Sequence, residues 1–455
     1  MNPVTEWMTK QLMTALVVAL LLTIVPARHA GAAEISDSDA EETAREVSAK
    51  AGWSDSAHSS QDWVQLVERH VLTGDIVHYQ FRVRVGQGKH DVIGIHRVVR
   101  ETTPHNPIRT FDNLFLLHGD FKDFTGSWLP GGSTRPDFGL AVYLAQRNVD
   151  VWGIDQAWTL VPASETNFDF MKDWGIQRQA EDLSAGIEVA RRLRAITGNG
   201  YEPMLLMAWS SGAPTGFALL NQETRLPAAK RKIRAFIPVD QGVITNDPAW
   251  NDLMCAVVAS YQATIDGGQY QDFNPLPPFG VPALQAPNAP SQLINGFTNL
   301  QAALALGTLP IYDGFNTHLW AGIFDENGVP TGLQYTKEKL VIDFMVNAPP
   351  YEPLAFERDE YITSCSQYNV SWDDRLRQIR VPILWVQAGN AGFGYGGVHT
   401  LDVLGTNDLT RLSISLHPPD EALLDFAHVD LFTAENAPDL VWRPMLNWVR
   451  QHSDH

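Results

Sequence analysis

Two cysteines in 455 residues, Cys255 and Cys365, exclude a fold held by a disulfide framework and leave room for one bridge at most. Basic residues are also scarce. The 33 Lys and Arg stand against 52 Asp and Glu, a net charge of -19, which argues against a nucleic-acid partner or an anionic membrane surface. No pair of histidines has the close helical spacing and neighbouring carboxylate of a zinc site, so neither a metal nor a cofactor is expected. No repeat of fixed period is visible, which excludes a solenoid or a propeller. Beyond the amino terminus no apolar run approaches the ~20 residues of a spanning helix.

What the sequence does contain begins with a leader. Residues 12–25 are free of charge and mostly apolar, and Pro26, Arg28 and the small residues Ala30, Gly31, Ala32 and Ala33 follow. Residues 1–33 therefore read as a signal peptide, with an uncleaved anchor as the alternative, and the mature chain is expected to be secreted or periplasmic with no integral span. Residues 34–60, with the acidic run SDSDAEE, form a polar leader. In an oxidising compartment Cys255 and Cys365 could pair, and both fall in the same segment, described below as a cap.

The rest alternates between two patterns. Phe81, Val83 and Val85 alternate with Arg82 and Arg84, and GQGKH turns the chain into a second apolar stretch at 92–99, the pattern of a hairpin. Short apolar runs at 114–117, 149–154, 204–208 and 234–239 then read as strands buried on both faces. Helical candidates separate them at 138–147, 176–194 and 212–221. The second carries Ile176, Ala180, Leu183, Ile187 and Ala190 on one stripe. This predicts an α/β fold, a mostly parallel sheet with helices on both faces. The rhythm breaks at 241–374, a Pro-rich stretch with helical segments such as 291–306, and resumes with strands at 381–388 and 411–416 and a closing helix bearing Val441, Met445, Trp448 and Val449. The expected organisation is a core at 61–240, an inserted cap at 241–374 and a second core part at 375–455.

The strand at 204–208 runs into AWSSG. A serine hydroxyl becomes nucleophilic only beside a base that takes its proton, so it must stand clear of the backbone on a sharp strand-to-helix turn. Such a turn crowds the residues two before and two after the nucleophile. Around Ser210 these are Ala208 and Gly212, both small, whereas Ser211 would need Trp209 to be small. The alternative is a serine that caps a helix.

Together with LLHGD at 116–120, GID at 153–155 and FAHVDLF at 426–432, AWSSG resembles the α/β-hydrolase superfamily from about residue 80 to the carboxyl end. The resemblance implies His428 as catalytic base, since it lies past the last strand in the order Ser, acid, His. It also implies that the backbone amides of Asp120 and Ser211 bind the oxyanion. An Asp side chain is awkward there, and it would point away or meet a substrate amine or hydroxyl. For His118 a structural role in holding the loop is preferred.

The acid departs from the commoner pattern, because Asn390 occupies the place after the late strand where Asp is expected. Asp240, at the end of the preceding core strand, is the choice, with Asp402 as runner-up. The implied reaction is hydrolysis of a carboxylic ester on a small or lipid-like acyl substrate through an acyl-enzyme. Alternatives are a peptidase or amidase of the same fold, or a binding protein without catalysis. Tyr312, Phe315, Trp320 and Phe324 either line an apolar pocket or, more simply, form the cap's own core. The oligomeric state stays open.

Overall fold

The computed structural model describes residues 64–394 and 397–453, so the expected signal peptide and polar leader lie outside the described residues. Nine strands build one sheet: β1 (Val64–Thr73), β2 (Ile76–Arg84), β3 (Val92–Thr103), β4 (Asn113–Leu117), β5 (Asp150–Asp155), β6 (Met204–Trp209), β7 (Ile233–Val239), β8 (Ile383–Ala388) and β9 (Leu409–Ile414). Their order is β1-β2-β3-β5-β4-β6-β7-β8-β9, with the short Asn106–Pro107 strand paired to β3. The first three strands and the β3–β5 pair are antiparallel. From β5 to β9 every pair is parallel.

The central strands are apolar along their whole length because both of their faces are covered. In β4, Leu114 and Leu116 enter one core while Phe115 and Leu117 enter the other. In β6, Leu205, Met207 and Trp209 alternate in the same way with Met204, Leu206 and Ala208. Side chains of period two thus feed two layers. Helix α1 (Leu140–Ala145) and the closing helix α9 (Arg443–Gln451) pack on the first layer. Helices α2 (Ile176–Ile196) and α3 (Gly212–Glu223) pack on the second.

Between β7 and β8 run α4 (Pro248–Asp266), α5 (Leu276–Gln285), α6 (Asn299–Thr308), α7 (Glu338–Val346) and α8 (Leu354–Ile362), with two small two-stranded sheets. This segment does not stand apart: residues of α5, α6 and α7 join the core layer of α9. Cys255 in α4 is bonded to Cys365, just past α8. Trp320 is fully buried, and Tyr312 and Phe315 pack on Trp250, so these aromatics serve as core of the segment. No described helix is long and apolar enough to cross a membrane.

Two local expectations change. Strand β1 carried no clear signal because it lies at the sheet edge with only Leu66 buried, so its sequence lacks the alternation of a half-buried strand. The helix expected over 291–306 begins only at Asn299. Thr298 and Gln301 form a capping box there, and the Ser291 hydroxyl instead accepts from the amides of Leu293 and Ile294 in a turn.

Candidate active site

Strand β6 ends in Trp209, and the chain reverses at Ser210 before α3 starts at Gly212. Ser210 has φ +56, a left-handed conformation that costs a side-chain-bearing residue about 1–2 kcal/mol. Its amide donates to the Val239 carbonyl at 3.0 Å and its carbonyl accepts from Ala213 at 2.7 Å, which pins the turn against β7. The turn admits no bulk. A Cβ on Gly212 would stand 2.6 Å from the His118 carbonyl oxygen, and one on Gly119 would stand 2.6 Å from the Ser210 Cβ. The loop after β4 therefore lies directly against Ser210; Asp120 follows Gly119 in that loop, and Ser211 follows Ser210.

Asp240 follows β7 and is fully buried, in a left-handed turn of its own at φ +58. Its Oδ2 lies 2.6 Å from Nδ1 of His428, which is 3% exposed. Oδ1 accepts from the Ala388 amide at 3.0 Å and Oδ2 from the Phe393 amide at 3.3 Å. Burial raises the Asp240 pKa, and the His428 partner and these amides oppose that rise. Gly392 is required here, since a Cβ on it would lie 2.2 Å from Asp240 Oδ1. The Gly-rich loop after β8 thus wraps the carboxylate of another strand.

The His428 ring sits between Trp209, 5.0 Å away, and Phe393, 4.6 Å away. Neither aromatic was singled out from the sequence, although Trp209 lies inside the AWSSG string. Asn390 stands apart from this contact. Its Nδ2 donates to Asp425 Oδ2 and to the His417 carbonyl, both at 2.7 Å. Asp425 in turn accepts from the amides of Leu416, His417 and Phe426, so the pair braces the loop that carries His428. Asp402 is 61% exposed and lies 3.7 Å from Arg411, so the structure does not bring it to His428. His118 is buried, its Nδ1 is 2.9 Å from the Gly119 carbonyl, and its Nε2 accepts from the Gln156 amide, a loop-holding role.

The Asp120 carboxyl lies close to those of Glu352 and Glu357, with one oxygen of each within 4.8 Å of the others. Burial raises its pKa, and the Ser211 and Glu352 side chains pull it back. A cleft lined by Gln241, Gly242, Trp250, Glu360, Tyr361, Ser364 and Phe393 adjoins the His428 ring through Phe393. A separate cavity of about 850 Å³, lined by Arg84, His90, Val161 and Pro349 among others, contains none of Ser210, Asp240 or His428.

No family model matches the chain, and comparison with curated proteins finds no match. Solved structures do match. A candidate lipase from Sulfolobus solfataricus is 17% identical at a TM-score of 0.57, over 86% of this chain and 99% of its own. The chain has the α/β-hydrolase fold. A soluble variant of monoglyceride lipase from Saccharomyces cerevisiae is 10% identical at a TM-score of 0.44, over 88% of this chain and 98% of its own. A thermophilic esterase from Thermogutta terrifontis is 12% identical at 0.40, over 82% and 99%.

Proposed function

We propose that this α/β-hydrolase chain is an exported serine hydrolase that cleaves a carboxylic ester through an acyl-enzyme, with Ser210, His428 and Asp240 as its triad. The observation that carries the reading is the 2.6 Å contact between Asp240 Oδ2 and His428 Nδ1, on a histidine whose loop lies past the last strand. A carboxylate on Nδ1 keeps the proton there and leaves Nε2 as the base.

His428 Nε2 takes the proton of Ser210 as its Oγ bonds to the acyl carbon, and Asp240 stabilises the imidazolium that results. The amides of Asp120 and Ser211 stabilise the oxyanion, by on the order of 3 kcal/mol each. His428 then protonates the departing alcohol. Water, deprotonated by the same imidazole, attacks the acyl-enzyme and releases the acid, and Ser210 regains its proton. A small or lipid-like acyl group is the expected substrate, in keeping with the name of the Sulfolobus lipase candidate.

Fluorophosphonate labelling tests the reading. The mature protein should be labelled and Ser210→Ala should not, whereas a binding protein would stay unlabelled in both forms. Nitrophenyl esters should turn over faster than aminoacyl anilides, and the reverse order would make it an amidase or peptidase.

A further inference from the structure

Four carboxyl groups meet beside the loop after β4. Asp120 comes from that loop, Glu352 from the short strand Tyr351–Pro353, and Glu357 and Glu360 from successive turns of α8. Glu352, Glu357 and Glu360 are 0%, 2% and 1% exposed. Burial, then the charge of Asp120, then Glu357 for Glu352 and Glu360 and Asp272 for Glu357, push all three glutamates well above the usual carboxylate range.

Few hydrogen bonds relieve the crowding. Glu352 Oε2 accepts from the Phe121 amide at 2.8 Å, and Gln241 and Tyr261 reach Glu360 and Glu357 only at 3.5 Å. Oxygens of Asp120, Glu352, Glu357 and Glu360 remain sealed and without a hydrogen-bond partner, and so does the hydroxyl of Ser211, a fully buried neutral group beside the Asp120 carboxyl. Buried polar atoms left unmatched cost about 1–3 kcal/mol each, and more when charged. So many at one point call for a ligand.

Ligand atoms of Asp120, Glu352 and Glu357 lie within 4.8 Å of one another. Around a Ca²⁺ ion at 2.3–2.6 Å, oxygens stand up to about 5 Å apart, whereas Mg²⁺ at 2.0–2.1 Å needs them within about 4 Å. The three sources are separate chain segments, which is why no spacing motif announced them. We propose that Asp120, Glu352 and Glu357 bind a divalent cation of the hard, oxygen-seeking class, Ca²⁺ foremost, tying α8 to the loop after β4. A divalent ion offsets two of the crowded charges, where an organic ammonium offsets one. Asp120 is the partly exposed member and marks the way in.

The test uses the mature protein stripped by a chelator, with Tb³⁺ as a luminescent probe sensitised by aromatic residues. One Tb³⁺ should bind per chain, Ca²⁺ should displace it, and Ca²⁺ should raise Tm. Glu352→Gln should weaken binding by roughly tenfold or more. Asp120→Asn, at the exposed edge, should do the same and serves if the glutamine variant fails to fold. Absence of saturable binding and of any Tm shift with Ca²⁺, Mg²⁺ or Mn²⁺ overturns the proposal. Equal binding in the variants also overturns it, as does a Tm raised by methylammonium chloride and not by metal. A metal-insensitive wild type that is less stable than Glu352→Gln would mean that the carboxyls share protons instead.

Discussion

Asn390 donates to the Asp425 carboxylate at 2.7 Å, so the residue standing where a catalytic Asp was expected holds another Asp in place. Replacing it by Asp would set two carboxylates together and remove the bond to the His417 carbonyl. Asn390→Asp should therefore destabilise the fold by about 1–3 kcal/mol at neutral pH, and less at acid pH where one carboxyl protonates. Urea unfolding at two pH values checks this. An unchanged midpoint at both would count against the bracing role.

Asp240 and Asp402 separate under the same substitution. Asp240→Asn should lower kcat by about 10⁴-fold, because the imidazole loses its tautomer and its counter-charge. Asp402→Asn should leave kcat unchanged, since that side chain is 61% exposed beside Arg411. Near-normal turnover of Asp240→Asn on the best ester found would remove Asp240 from the mechanism.

Asp430 should make stability depend on pH. Burial holds its carboxyl up at about 7 against an ordinary 3.8. Between those values the folded chain keeps a proton that the unfolded chain has lost, so this group's contribution is favourable at low pH and declines as pH rises toward 7. Asn at this position can still accept from the Ala321 and Ala427 amides and can donate to Thr336. Tm of Asp430→Asn should fall less than that of the wild type between pH 5 and 8. Parallel profiles would show that the group does not titrate there.

The bond between Cys255 and Cys365 closes a loop with a sequence separation of 110. A cross-link of that span stabilises by roughly 2–5 kcal/mol, largely by restricting the unfolded chain. Cys255→Ser with Cys365→Ser should lower Tm, and a reductant should lower the wild-type Tm by a similar amount while leaving the variant alone. Two free thiols in the denatured, unreduced protein would overturn the expectation.

Local pattern by itself determined the repeating strands and helices, because apolar runs of four to six residues separated by one-faced helical stripes leave a sheet covered on both sides as the stable outcome. It also determined where Ser210 must lie, since only small residues at 208 and 212 suit so sharp a turn. Tertiary structure decided what depends on segments meeting across the fold. Asp240 and His428 are 188 residues apart and touch because Asp240 and the loop bearing His428 both follow the carboxyl ends of parallel strands, β7 and β9. Asn390 and Asp425 meet for the same reason, and the contact of Trp209 and Phe393 with the imidazole follows from it. The carboxylates of Asp120, Glu352 and Glu357 converge only when the cap folds back onto the loop after β4. Spacing along the chain carries no trace of such contacts, because their energies come from burial and from partners that folding alone brings within reach.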